Sequence, residues 1–201
     1  DLHSFPTRRS SDLEPALSEA RTDVKRIDIF LKVAEYYIFK AGEEKVDFDK
    51  AREYMRKAAL LNKKIKSEDA DAFQILLESQ IAKEKRQLKE GKEMAETAVN
   101  RLSKGQDKFY SGTAYFCLSE YYSWGNKSES AEKRRLLELA VESYEQTRNI
   151  EQLVYCLKQL ADLYALNDER AKALEKLDRC LQLYQSIGPV LDRRASCRER
   201  V

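Results

Sequence analysis

From Asp23 onward, large apolar residues return every three or four positions, and alternation of period two is absent. That spacing is the one a helix uses to present a single apolar face. The stretch of about 23–40 carries Ile27, Phe30, Leu31, Val33, Ala34 and Tyr37 in this phase. The next, about 48–64, carries Ala51, Tyr54, Met55, Ala58 and Leu61. Six more helices are predicted over about 68–86, 88–103, 108–124, 129–147, 150–165 and 169–186. No proline lies between Pro15 and Pro189, so none breaks the interior. Gly105 sits where a left-handed helix end would want it, and Ser128 reads as the N-cap of the sixth helix. Gly125-Asn126 closes the fifth helix and Asn167-Asp168 turns the chain into the eighth. Connections this short make neighbours antiparallel hairpins.

The eight helices fall into four pairs, 23–64, 68–103, 108–147 and 150–187, within a domain of residues 23–188. A common pattern runs through them. The last pair has Leu157, Leu160, Ala161 and Tyr164, then Ala173, Leu177 and Cys180. The first has Phe30, Val33, Ala34 and Tyr37, then Ala51, Met55 and Ala58. The third has Tyr115, Leu118, Ser119 and Tyr122, then Ala140, Tyr144 and Thr147. The second is degenerate: Gln74, Leu77, Glu78 and Ile81, then Gly91, Ala95 and Ala98. Small residues let two helices approach closely, and large ones fill the space between hairpins. The pattern, large–x2–Leu–small–x2–Tyr followed by Ala–x3–aromatic, resembles the tetratricopeptide repeat (TPR). The resemblance implies an all-α fold: a right-handed superhelical array of antiparallel helix hairpins, a TPR-like solenoid of about eight helices. Spacing from Tyr to the next small residue varies, at 14, 10, 18 and 9 residues from first pair to last. The extra residues fall in Ala41–Asp47 and Gly125–Ala131, where Gly and polar residues cluster.

The run Tyr36-Tyr37-Ile38-Phe39-Lys40-Ala41-Gly42-Glu43 before Asp47-Phe48-Asp49-Lys50-Ala51 resembles a long first hairpin in the repeat-containing sensor region of certain bacterial histidine kinases. Leu157–Gly188 is similar to repeats there. The resemblance implies a bacterial signalling parent with a coiled coil, often a membrane span, and a kinase core, none of which is in this sequence. A stand-alone adaptor with no attached enzyme is the rival reading.

The ends change the charge balance. One possible coding sequence for Arg194–Val201 is the reverse complement of one for His3–Ser10, and the string resembles a sequencing-library adapter. Residues 1–13 and 192–201 are therefore expected to be artefactual or disordered tails, and the chain between them a fragment. Without 1–13 and 194–201 the chain loses 5 of 37 basic and 3 of 35 acidic residues, leaving 32 of each. No net charge then calls for nucleic acid or anionic lipid. Lys63-Lys64 with Lys66, and Lys133-Arg134-Arg135, read as solvated surface. No apolar run is long enough to span a membrane.

Chemistry is thin. The single His, His3, lies in the excluded tail, so Ser–His and Cys–His catalysis lack their usual base. Cys117, Cys156 and Cys180 have no C-x2-C pairing and read as buried free thiols, which favours a reducing compartment. A periplasmic site fits if the parent is a membrane sensor kinase. No glycine-rich phosphate loop occurs. The expectation is a protein that is no enzyme, with no cofactor and no metal site, whose partner is a protein, a peptide or another domain of its parent. Nucleic acid and membrane contact are not expected.

In such arrays the first helix of each pair lines the concave face. Helical phase places Leu31, Glu35 and Ile38 there, then Ile75, Ser79 and Ala82, then Phe116, Glu120 and Ser123, and last Tyr155, Lys158 and Asp162. Aromatics mixed with acids suit a peptide with apolar and basic side chains. Leu31 and Glu35 stand where family members that clamp a C-terminal carboxylate carry Lys and Asn, so such tails are not expected. On the eighth helix, Leu174, Leu177, Leu181 and Tyr184 form the stripe expected to pack inward, with Leu183 and Ile187 left exposed.

Overall fold

A computed structural model describes residues 17–40 and 45–196, with side chains to residue 186. The expected tail 1–13, residues 41–44 of the first insertion, and residues 197–201 lie outside the described residues, as does the Ile187 side chain. Among the described residues the helices are α1 (Asp23–Phe39), α2 (Lys45–Ile65), α3 (Glu68–Glu84), α4 (Leu88–Leu102), α5 (Lys108–Ser119), α6 (Lys127–Glu145), α7 (Ile150–Leu166) and α8 (Arg170–Ser196). They pack as four successive hairpins, and each hairpin's second helix also touches the first helix of the next. The first helices touch one another as well: α1 lies on α3, and α3 on α5.

Side-chain caps set four of the starts. Thr22, Ser67 and Asp107 each accept a first-turn backbone N–H, which satisfies donors the helix cannot. The sixth helix is capped by Asn126 rather than Ser128: its side chain accepts from the N–H groups of Ser128 and Glu129. α5 stops at Ser119, short of 124. There the chain tightens, with Tyr121 and Tyr122 donating to the carbonyls of Leu118 and Ser119, three residues back. The Tyr121 hydroxyl then anchors on the Ser79 carbonyl at 2.7 Å. α8 runs on to Ser196, well past 186.

Gly105 is not left-handed; a Cβ there would meet only the Asp69 carboxylate. The left-handed positions are instead Lys66, Arg86 and Asp168. Arg86 and Asp168 close α3 and α7 in the same way. Arg86 N–H reaches Lys83 O and Gln87 N–H reaches Ala82 O; Asp168 N–H reaches Ala165 O and Glu169 N–H reaches Tyr164 O. That geometry favours glycine at the left-handed residue. Arg86→Gly is expected to stabilise the fold by about 1 kcal/mol, read as a shift in urea midpoint at constant slope. A loss of stability would show that the Arg86 side chain holds the turn.

The small positions behave as the repeat requires. Ala34, Ala51, Ala58, Ala95, Ala98 and Ala140 are fully covered. At Gly91 an added Cβ would lie 3.0 Å from the Ser79 carbonyl, and at Gly112 2.9 Å from the Tyr144 ring. Tyr144 is fully buried and shares a 3.0 Å hydrogen bond with Thr113.

Candidate inner-face binding site

The residues that phase assigned to the concave face divide sharply. Leu31, Glu35, Ile38, Ser79, Ala82 and Phe116 are buried, so they are core rather than contact surface. Ile75, Glu120 and Tyr155 are partly covered, while Ser123, Lys158 and Asp162 are exposed. The cause is curvature. α1 closes on α3 and α3 on α5, with Phe73 and Tyr110 stacked at 4.1 Å between them. The Tyr110 hydroxyl reaches across to Asp28 at 3.0 Å. Positions that would face an open groove in a wider superhelix are here interior. α5 is the central element, buried at nearly every residue from Phe109 to Ser119.

Of the expected face, the exposed positions lie in the loop after α5, at Ser123, and on α7, at Lys158 and Asp162. Phe116 meets Tyr155 edge-on at 5.5 Å, and beyond this contact Lys158 and Asp162 stand free of cover. The loop after α5 forms the rim. Lys133 is buried, against the expectation of a solvated basic cluster. Its Nζ donates to the Ser119 carbonyl at 3.0 Å and to Glu120 Oε1 at 2.9 Å. Lys83 approaches the other oxygen of Glu120 at 3.8 Å, so this carboxylate ties α3 and α6 to the end of α5. The ring of Trp124 sits 4.9 Å from Lys133 Nζ. Cation–π contact and a carbonyl partner explain how a buried ammonium is tolerated. Ser123 N–H is held by Glu129 at 2.8 Å.

Two buried acceptors lie on these inner helices without a hydrogen-bond partner: Glu35 Oε1 and Gln159 Oε1. Burial pushes the Glu35 carboxyl up to about 8, opposed by nearby Lys32 and reinforced by Asp28. Gln159 hydrogen-bonds the Tyr155 hydroxyl, whose acidity burial also weakens. Cys117, Cys156 and Cys180 are free and buried, and burial pushes the thiols up, away from the thiolate that reactivity needs. Among the described residues no cluster of His, Cys, Asp or Glu is arranged to hold a metal, and no helix is long and apolar enough to cross a membrane.

Phase assigned Glu120, Ser123, Tyr155, Lys158 and Asp162 to this face and did not single out Lys83, Trp124 or Gln159. Gln159 stands one helical turn after Tyr155, and Trp124 is the chain's single Trp, which phase placed at the end of the fifth helix and the structure places in the loop after α5.

No family model matches the sequence, and no curated protein matches it either. Solved structures do. BtubC (BKLC) from P. vanneervenii superposes with a TM-score of 0.56 at 16% identity, covering 89% of this chain and 71% of that one. A variant of a putative kinesin light chain from Podosopora anserina, with nearly identical TPR-like repeats, gives 0.50 at 16% identity, covering 90% and 85%. Likeness at this identity speaks for the fold alone. The chain has the TPR-like fold, an all-helical array of stacked hairpins.

Proposed function

We propose that this chain is a non-catalytic scaffold that binds another polypeptide along the open part of its inner face, between α5 and α7. The TPR-like fold supports a protein-interaction role. One observation supports the location: the inner face is sealed from α1 to α5 and uncovered at Lys158 and Asp162 beside half-covered Tyr155. Tyr155 and Trp124 offer apolar platforms. Asp162 offers a carboxylate, with Glu120 already engaged by two lysines. The ligand is an extended peptide with apolar and basic side chains.

A peptide array of that composition, read by the emission of Trp124, tests the proposal. Asp162→Lys is expected to weaken the selected peptides about tenfold, a change of about 1.4 kcal/mol. Glu96→Lys, on the exposed side of α4, is the control and changes nothing. Equal affinity of both variants would remove the site from the α5–α7 opening.

The resemblance at 36–51 and 157–188 supports a larger bacterial signalling parent of histidine-kinase type, in which this array is sensory or regulatory. The stand-alone adaptor is the rival. The uninterrupted gene separates them: a kinase core downstream supports the first, and a gene holding helical repeats alone supports the second.

A further inference from the structure

α1 packs on α2 and on α3, and α3 packs on α5. Inside this packing stands Glu35, 4% exposed, with no hydrogen-bond partner for its Oε1. The groups around it give a carboxylate little support. Lys32, one turn earlier on α1, spends its Nζ on Asp28 at 2.8 Å. α2 buries Asp47, which holds Lys40 at 2.8 Å. The buried residues of α3 are apolar or neutral, among them Phe73, Leu76, Ser79 and Gln80. Tyr110 and Cys117 of α5 and Tyr144 of α6 lie within reach of its charge, and burial keeps all three neutral. A carboxyl in such a seam holds its proton while the seam is closed. Burial accordingly holds it up to about 8, with Lys32 opposing and Asp28 reinforcing.

Strong polar ties join the first hairpin to the rest along α2 and at the start of α1. Arg52 of α2 forks onto Glu78 of α3 at 3.2 and 2.9 Å. Asn62, near the end of α2, donates to Asp71 of α3 at 2.7 Å and to the Ser67 carbonyl at 2.9 Å. The Tyr110 hydroxyl donates to Asp28, in the second turn of α1, at 3.0 Å. Glu35 lies about two turns beyond that tie, in the half of α1 that carries Leu31 and Ile38 against the core.

We propose that Glu35 is a proton-controlled latch on the inner face: when it loses its proton, the second half of α1 lifts off α3, with pinned α2 and the pinned start of α1 as the hinge. The lift uncovers the stretch that helical phase assigned to a binding surface. Leu31, Glu35 and Ile38 on α1 and Ser79 and Ala82 on α3 are all buried in the closed form. Once open, Glu35 meets water and regains ordinary carboxylate acidity, so opening releases a proton. Below pH 4.5 both forms hold the proton and opening ignores pH. Between 4.5 and about 8 the open form has lost it and the closed form keeps it, so the opening constant rises tenfold per pH unit. Above 8 both forms are ionised and the rise ends. The latch does not depend on a peptide binding between α5 and α7.

Amide exchange of the whole chain, corrected for the intrinsic rate at each pH, reads the opening. Protection in residues 31–38 and 76–82 is expected to fall about a hundredfold from pH 6 to pH 8. In Glu35→Gln that fall should be absent. Low urea separates a local opening from unfolding of the whole chain. Exchange in 31–38 should respond to urea less than exchange in 153–164 of α7, because a lift exposes less surface than unfolding. Protection in 31–38 that ignores pH, or an equal fall in Glu35→Gln, would overturn the latch. So would equal urea sensitivity of the two segments, which would make the pH effect one of global stability alone. Both readings on the unmutated chain stand without the variant.

Discussion

Glu35→Gln is expected to raise unfolding free energy at pH 8 by on the order of 3–5 kcal/mol while leaving it nearly unchanged at pH 4. Glu35 sits on α1, fully enclosed where α1 closes on α3, with Oε1 unpartnered. Burial disfavours the charged form, and Lys32 compensates only in part, so the carboxyl is raised from 4.5 to about 8. Below pH 4.5 both folded and unfolded chains hold the proton, and the group costs nothing in ionisation. Between 4.5 and 8 the unfolded chain releases it and the folded chain keeps it. Folded stability therefore falls as pH rises through that window, and the loss is complete once the folded carboxyl ionises near 8. Gln keeps the shape and cannot ionise, so this loss is absent from its pH profile. Urea unfolding at pH 4, 6 and 8 reads the difference. Parallel pH profiles for both proteins would mean that water reaches Glu35 and that the inner face is open at α1.

Ala161→Glu should destabilise the fold by about 3–5 kcal/mol, the cost of an uncompensated charge in the interior. Ala161 occupies the small slot of the last pair's first helix and is covered on all sides. Its neighbour in the motif, Tyr164, is buried to its ring and spends its hydroxyl on Glu138 at 2.7 Å. Two turns away in the same seam, the Cys180 thiol lies 3.6 Å from the Val154 carbonyl. A carboxylate has neither room nor partner in that seam. Ala165→Glu, one turn on and exposed, is the matched control and should stay within about 0.5 kcal/mol. Thermal melts that place the two variants together would refute the repeat register.

Helix existence and order were legible because the first, third and last pairs repeat the same small and large slots, and helical spacing carries the degenerate second. Ala34, Ala51, Ala58, Ala140 and Ala161 are buried where the motif puts them. Ends were less legible. Ser119 ends α5 through tertiary contacts, Lys133 on its carbonyl and Tyr121 on Ser79, that no local signal announces. The inner face was half legible. A helical phase says which side of a helix is inward, but how tightly the superhelix closes depends on how α1, α3 and α5 fit together. One clue was present: α5 is apolar or small nearly all round, and such a helix is buried on every side. Lys133 looked like surface because a charge run usually is, and only the fold shows Glu120 and Trp124 waiting for it. On α8 both stripes are apolar, so sequence could not say which one α7 takes. The structure gives it Ala173 and Cys180, with Leu183 half-buried beside them, and leaves Leu174, Leu177, Leu181 and Tyr184 exposed, the reverse of the expectation.

Amide hydrogen exchange with and without an array-selected peptide measures where the inner face is open. Protection is expected in residues 116–124 and 152–162, with 27–38 already slow and unchanged on binding. New protection in 27–38 or 70–82, with none around Tyr155 and Asp162, would contradict a site between α5 and α7.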